Sequence, residues 1–74
     1  MRLKSIREDK DITQKAVAEY LHIKQNTYSQ YETGARQIPV ETLIKLALFF
    51  DTSADYILGI TDESNAYPRS KEYK

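Results

Sequence analysis

The stretch that decides the fold is residues 13–34, which read TQKAVAEYLHIKQNTYSQYETG. It contains two short helical patterns joined by a link of about three residues, His22 to Lys24. The first pattern begins after Thr13, a good N-cap residue. Its apolar residues fall on a single helical stripe and are Ala16, Val17, Tyr20 and Leu21. The second pattern covers about Gln25–Thr33, and Gly34 after it predicts a left-handed helix end.

The shortness of the link constrains how the two helices pack. Two short helices joined so tightly must cross at a steep angle, which is the shape of a helix-turn-helix. The crossing needs a small residue at the close approach, where the sequence has Ala18. It also needs a turn residue that tolerates positive φ, and His22 can occupy that position at modest cost. The sequence therefore predicts a helix-turn-helix at helices 2 and 3.

Three further helices are predicted, one before this pair and two after it. Helix 1 covers about residues 2–10. Helix 4 follows Pro39, because proline is tolerated at a helix start. Its apolar face consists of Leu43, Ile44, Leu46, Ala47 and Phe50. Helix 5 is one or two turns long, capped by Ser53 and ended by Gly59.

The domain organisation follows from this pattern. Only two glycines and two prolines interrupt the 74 residues, which favours helices over strands and turns. We expect an all-α fold with one helix-turn-helix domain over residues 1–59. Residues 60–74 are polar and aperiodic, so we expect a C-terminal tail that is either disordered or a dimerisation arm.

The composition excludes several classes of protein. The chain has no Cys and one His, which excludes a disulfide scaffold, an iron–sulfur protein and a zinc finger. It has no nucleophile–His–acid set and no glycine-rich phosphate loop, so neither an enzyme nor a bound cofactor or metal is expected. Its apolar runs are far shorter than the roughly 20 residues of a membrane span, and its first residues lack a signal-peptide core.

The joint pattern of these positions resembles a known family. The residues that carry the resemblance are Thr13-Gln14, Ala18, Leu21, Ile23, Gln30-Tyr31-Glu32, Gly34, Leu43 and Leu46-Ala47. Together they are similar to the XRE family, the Cro and phage-repressor type of helix-turn-helix, over residues 3–62. The resemblance implies a compact five-helix, lambda-repressor-like domain. It also implies a sequence-specific transcriptional regulator, expected to be a repressor, that reads operator DNA in the major groove through helix 3.

The resemblance assigns DNA contacts to particular residues. The residues expected to touch base edges are Lys24, Gln25, Asn26, Ser29 and Gln30. Their chemistry suits the task, because Gln and Asn can bond adenine N6 and N7 and Lys can bond guanine O6 or N7. The residues expected to touch phosphates are Thr13, Gln14, Thr33 and Arg36. The alternative for each is a solvated surface side chain, since any exposed helix carries such residues.

Other residues are expected to have structural roles. The resemblance implies an ion pair between Arg7 and Glu32 that fastens helix 1 to helix 3, with Arg7 also a candidate phosphate contact. The tyrosines at helical spacing favour core positions over nucleic-acid stacking, and they are Tyr20, Tyr28, Tyr31 and Tyr56. The hydroxyls of Tyr28 and Tyr31 are expected to reach the surface.

The small size of such a domain indicates how many copies bind DNA together. One module buries only about 600–1,000 Å² on DNA, so we expect a homodimer on a near-palindromic operator. Ile57, Ile60 and the tail are the candidate dimer elements. The alternative is an antitoxin-like interaction module that binds a partner protein and autoregulates its operon. Either protein would act in the cytoplasm, associated with the nucleoid.

Net charge conceals an uneven distribution. The formal charge is zero, with 11 basic and 11 acidic residues. Residues 1–40 hold seven Lys or Arg and five Asp or Glu, a net of +2. Residues 41–63 hold one Lys and five acids, a net of −4, and residues 64–74 hold three cations and one acid, a net of +2. The acidic segment, residues 41–63, would be repelled by DNA phosphates, which helps to orient the helix-turn-helix toward DNA.

Overall fold

The computed structural model describes residues 1–68, which form five α-helices and no strand. The helices are α1 Leu3–Asp9, α2 Gln14–Leu21, α3 Gln25–Thr33, α4 Val40–Phe49 and α5 Ala54–Leu58. The predicted all-α class and the number and order of the helices are thus confirmed within these residues. None of the helices in this part of the chain is long and apolar enough to span a bilayer.

The helix ends follow local chemistry. The Thr13 hydroxyl accepts a hydrogen bond from the Ala16 backbone N–H at 3.0 Å. The Ser53 hydroxyl accepts one from the Tyr56 backbone N–H at 3.0 Å. These bonds satisfy amides that would otherwise be unpaired in the first turns of α2 and α5. At the C-terminal end of α3, Gly34 adopts the left-handed conformation with φ 82°. The N-terminus of α3 differs, because Lys24 is extended there and makes no side-chain capping bond.

The turn between α2 and α3 has the geometry that a steep crossing requires. His22 adopts φ 58°, so the predicted positive φ is confirmed. The Ile23 amide donates to the Ala18 carbonyl oxygen at 3.0 Å and closes the turn against the end of α2. The Ala18 side chain is buried, with 2% of its surface exposed. A larger side chain there would hold the two helices apart.

The core draws on every helix. Its buried apolar residues are Leu3, Ile6, Val17, Ala18, Leu21, Tyr28, Tyr31, Leu46, Ala47, Phe50 and Ile57. The predicted apolar faces of α2 and α4 supply much of it. Tyr28 and Tyr31 point inward from α3, as predicted. This packing leaves the opposite face of α3 to solvent.

Three residue-level predictions about this packing are wrong. Tyr20 is 42% exposed, because its ring lies over Phe49 near the surface, with the two centroids 4.5 Å apart. Ile57 is fully buried, so it is a core residue of α5 and cannot contact a second chain. The Tyr28 hydroxyl is buried instead of reaching the surface.

The segment after Gly59 contacts the helical body. Arg2 Nη1 donates to the Thr61 carbonyl oxygen at 2.7 Å, and the Thr52 hydroxyl donates to the Ser64 carbonyl oxygen at 2.7 Å. The Tyr67 hydroxyl donates to the Asp55 carboxylate at 3.0 Å. Residues 61–67 therefore pack near α5 and the N-terminus. The remainder of the predicted tail, residues 69–74, lies outside the described residues.

Candidate nucleic-acid interface

The recognition-helix candidate α3 has two chemically distinct faces. Tyr28 and Tyr31 are buried in the core. The predicted base-contacting residues lie on the remaining surface: Lys24, Gln25 and Asn26 are exposed, and Ser29 and Gln30 are partly exposed. Asn26 and Gln30 are four residues apart and so share one side of the helix. The structure thus brings these amide and hydroxyl groups onto one helix, with the Lys24 ammonium group directly before it.

The predicted phosphate-contacting residues lie at the two ends of the helix-turn-helix. Thr13 and Gln14 stand at the N-terminus of α2, where exposed backbone N–H groups favour an anion. Thr33 and Arg36 lie at the C-terminal end of α3, and both are exposed. The Thr33 hydroxyl donates to the Gln30 carbonyl oxygen at 3.2 Å. Arg36 Nε donates to the Gln30 side-chain oxygen Oε1 at 2.9 Å.

The Glu32 carboxylate holds three helices together. Arg7 of α1 donates to it twice, from Nε to Oε2 at 2.7 Å and from Nη2 to Oε1 at 3.2 Å. Gln14 of α2 donates from Nε2 to Oε1 at 3.0 Å. The Glu32 side chain is 2% exposed and that of Arg7 is 13% exposed. The structure therefore brings Arg7 and Glu32 together as a bidentate pair shielded from water, with Gln14 as a third member.

The Arg7 guanidinium makes most of its hydrogen bonds inside the domain. Its Nη1 donates to the Ile12 carbonyl oxygen at 3.0 Å, while Nε and Nη2 are bonded to Glu32. All three guanidinium nitrogens are thus used inside the domain. Three of its five N–H donors are therefore occupied and its side chain is 13% exposed, and the additional contact of Arg7 with a phosphate stays a prediction.

The charges of this pair stabilise each other. Burial by itself raises the pKa of Glu32. The hydrogen bonds from Arg7 and Gln14, together with the neighbouring Tyr28, lower the pKa by more than burial raises it, so the pKa lies below 4.5. The hydrogen bond to Glu32 raises the pKa of Arg7. Both groups are therefore ionised in the folded domain, and each compensates the desolvation of the other.

Tyr28 adds a polar group to the same surroundings. Burial, followed by the negative charge of Glu32, raises the pKa of Tyr28 far above its ordinary value, so its hydroxyl stays neutral. The hydroxyl oxygen makes no hydrogen bond with any residue among 1–68. Its ring fills the core beside the ion pair, and its contribution is therefore mainly apolar packing.

Two contacts at this interface were not predicted from the sequence. Gln14 was expected to contact a phosphate, and its side-chain amide nitrogen is bonded to the Glu32 carboxylate. The bond from Arg36 to Gln30 was not anticipated either. The spacing of six residues carries no helical signal, because Gly34 lies between them and reverses the chain. The chain leaves α3 through the left-handed Gly34, and the loop after it brings Arg36 back to α3.

Comparison with known proteins establishes the family. A family model described as helix-turn-helix matches residues 3–57. The chain therefore belongs to the XRE-type helix-turn-helix family, as the pattern of residues predicted. No solved structure shows significant similarity to it.

Individual relatives extend this comparison. The uncharacterized HTH-type transcriptional regulator YobD of Bacillus subtilis is 34% identical over 73 residues, which are 99% of this chain and 65% of YobD. The HTH-type transcriptional regulator ImmR of Bacillus subtilis is 43% identical over 58 residues, 78% of this chain and 46% of ImmR. The cryptic phage CTXphi transcriptional repressor RstR of Vibrio cholerae is 35% identical over 49 residues, 66% of this chain and 44% of RstR. The chain spans less than two thirds of the length of each.

The Glu32 network generates a prediction about acid stability. Because the folded pKa of Glu32 lies below its unfolded value of 4.5, its stabilising contribution is complete above that pH. The contribution is lost as the pH falls through the lower folded pKa. We expect the wild-type free energy of unfolding to fall more steeply than that of Glu32→Gln between about pH 6 and about pH 3, measured by urea denaturation.

Two further results of the same experiment are expected. At neutral pH, Glu32→Gln should lose about 3–5 kcal/mol, since it leaves the Arg7 charge buried and unpaired. The matched control is Glu19→Gln, which removes an exposed carboxylate from α2 and should change stability by less than about 0.5 kcal/mol. Parallel pH profiles for the wild type and Glu32→Gln would contradict the role assigned to the carboxylate.

Proposed function

We propose that this chain is a sequence-specific double-stranded DNA-binding transcriptional regulator that reads the major groove through α3. The observation that carries the proposal is the division of α3: its aromatic face is buried and its Glu32 is fixed to α1 and α2, while its amide-bearing face is open to solvent. A helix held this firmly can present side chains to base edges with little loss of conformational entropy on binding.

The exposed side chains have the donors and acceptors that base edges require. Gln25 and Asn26, in the first turn of α3, can bond adenine N6 and N7. Lys24, just before the helix, can reach guanine O6 or N7. Ser29 and Gln30 lie one turn further along the helix. This order matches a recognition helix whose N-terminal residues approach the bases first.

Phosphate contacts would frame this helix. The N-terminus of α2, with Thr13 and Gln14, offers backbone N–H groups to a phosphate on one side. Thr33 and Arg36 offer a hydroxyl and a guanidinium on the other. The net charge of +2 over residues 1–40 supports this orientation, since residues 41–63 carry −4 and would face away from DNA.

Similarity to the repressor RstR supports repression over activation of transcription. RstR is described as a transcriptional repressor, and it shares 35% of its residues with this chain over the matched segment. We therefore propose that this chain represses transcription by occupying an operator. Its place of action would be the cytoplasm, in association with the nucleoid.

We further propose that it binds a near-palindromic operator as a homodimer. A groove of about 350 Å³ lies beside the loop that follows α3, and its apolar walls are formed by Met1, Ile38, Leu43 and Leu58. Ile60, 72% exposed, lies two residues beyond Leu58. Gly34 and Arg36 line the same groove. Two copies joined through this face would bring their recognition helices close together, on one side of the duplex.

Base reading by α3 is tested by selecting bound duplexes from a random pool. The wild type should enrich one related set of sequences. Gln25→Ala and Asn26→Ala should each relax the preference at discrete positions, because each removes a direct base contact worth about 1–3 kcal/mol of discrimination. The control is Lys15→Ala, which removes an exposed cation from α2 and should weaken binding evenly across sequences. A uniform loss for all three variants would mean that α3 only holds the DNA backbone.

The dimer face is tested by sedimentation at micromolar concentration with and without operator DNA. Leu58→Glu places a charge on the wall of the apolar groove, so it should produce monomers and weaken operator binding, with unchanged helical circular dichroism. Ser5→Glu adds the same charge at an exposed position of α1 and should leave the dimer intact. A wild type that stays monomeric both with and without DNA would contradict the proposed homodimer.

A further inference from the structure

The loop after α3 is attached to one particular recognition residue. Arg36 contacts Gln30 at two points: its backbone N–H donates to the Gln30 carbonyl oxygen at 3.3 Å, and its side-chain Nε donates to Gln30 Oε1 at 2.9 Å. The Thr33 hydroxyl donates to the same carbonyl oxygen at 3.2 Å and accepts from the Ala35 backbone N–H at 3.4 Å. The guanidinium is therefore held beside Gln30 by backbone as well as side-chain bonds.

The identity of the bonded atoms determines what Gln30 can offer a base. Arginine carries donors and no acceptor, so the atom of the Gln30 amide that faces Nε must be the carbonyl oxygen. The amide nitrogen, Nε2, with its two N–H groups, then points away from Arg36. A second donor approaching Oε1 would meet the positive charge of the guanidinium. Gln30 in this arrangement presents chiefly donors to its surroundings.

This restriction has a direct consequence for base preference. Glutamine reads adenine with both ends of its amide, accepting from N6 and donating to N7. With Oε1 occupied by Arg36, the accepting half of that pattern is weakened. Base edges that present only acceptors remain compatible with Nε2, and these are guanine O6 and N7 and thymine O4. The contact therefore disfavours adenine opposite Gln30.

We propose that Arg36 is a specificity-determining positioning residue, which orients the Gln30 amide so that the base opposite Gln30 is guanine or thymine in preference to adenine. The inference rests on the proposed function, since it requires that α3 reads bases. Among residues 1–68 the Nη groups of Arg36 make no hydrogen bond, so they stay available to a phosphate. Arg36 would then bind a phosphate through its Nη groups and the Gln30 amide through Nε.

Selection of bound duplexes tests the proposal with four proteins. Gln30→Ala first identifies the base position that Gln30 reads, because the preference relaxes there. Arg36→Ala should then raise the frequency of adenine relative to guanine and thymine at that position, by about fivefold or more, and leave the other positions unchanged. Lys15→Ala again serves as the control for loss of one exposed cation, and it should lower affinity with no change in preference at the Gln30 position.

The outcomes separate this inference from the proposed function. If the wild type enriches a sequence but Arg36→Ala keeps the same preference and binds only more weakly, Arg36 is simply a phosphate contact and the inference is overturned. A Gln30→Ala profile identical to that of the wild type overturns it too, because Gln30 then reads no base. A wild type that enriches no sequence overturns the proposed function together with the inference.

Discussion

A buried carboxylate on α3 is the constraint on which the rest of this domain depends. Glu32 lies out of water, so its charge must be compensated by donors from the surrounding chain. Arg7 of α1 and Gln14 of α2 provide them, with three hydrogen bonds between 2.7 and 3.2 Å. One anion thereby fixes α3 to both preceding helices, and the orientation of the exposed, amide-bearing face of α3 depends on that attachment.

Apolar packing and this network have complementary roles. The core supplies most of the stabilisation, through Tyr28 and Tyr31 on α3 and the apolar faces of the other helices. Apolar contacts alone are not directional, whereas a bidentate guanidinium–carboxylate pair specifies distance and angle. In so small a domain the network thus defines how α3 sits on the core. The loop beyond Gly34 continues this arrangement outward, since Arg36 returns to the exposed side chain of Gln30.

The sequence predicted what depends on local chemistry. Thr13, Ser53 and Gly34 marked helix ends correctly, because capping and left-handed stops act over a few residues. The placement of single side chains was harder to predict. Ile57 and Tyr20 exchanged their expected environments, since helical periodicity gives a face but not which neighbour covers it. The bond between Arg36 and Gln30 depends on the path of a loop, for which the sequence carries no periodic signal.

A double-mutant cycle on Arg7 and Glu32 tests the central claim most directly. The free energy of unfolding is measured for the wild type, Arg7→Met, Glu32→Leu and the double variant. If the buried pair holds α1 to α3, each single change leaves one charge uncompensated, and the double change removes both. We predict a coupling energy above about 1.5 kcal/mol, with the double variant recovering stability lost by either single variant. A coupling energy below about 0.5 kcal/mol, with additive losses, would contradict it.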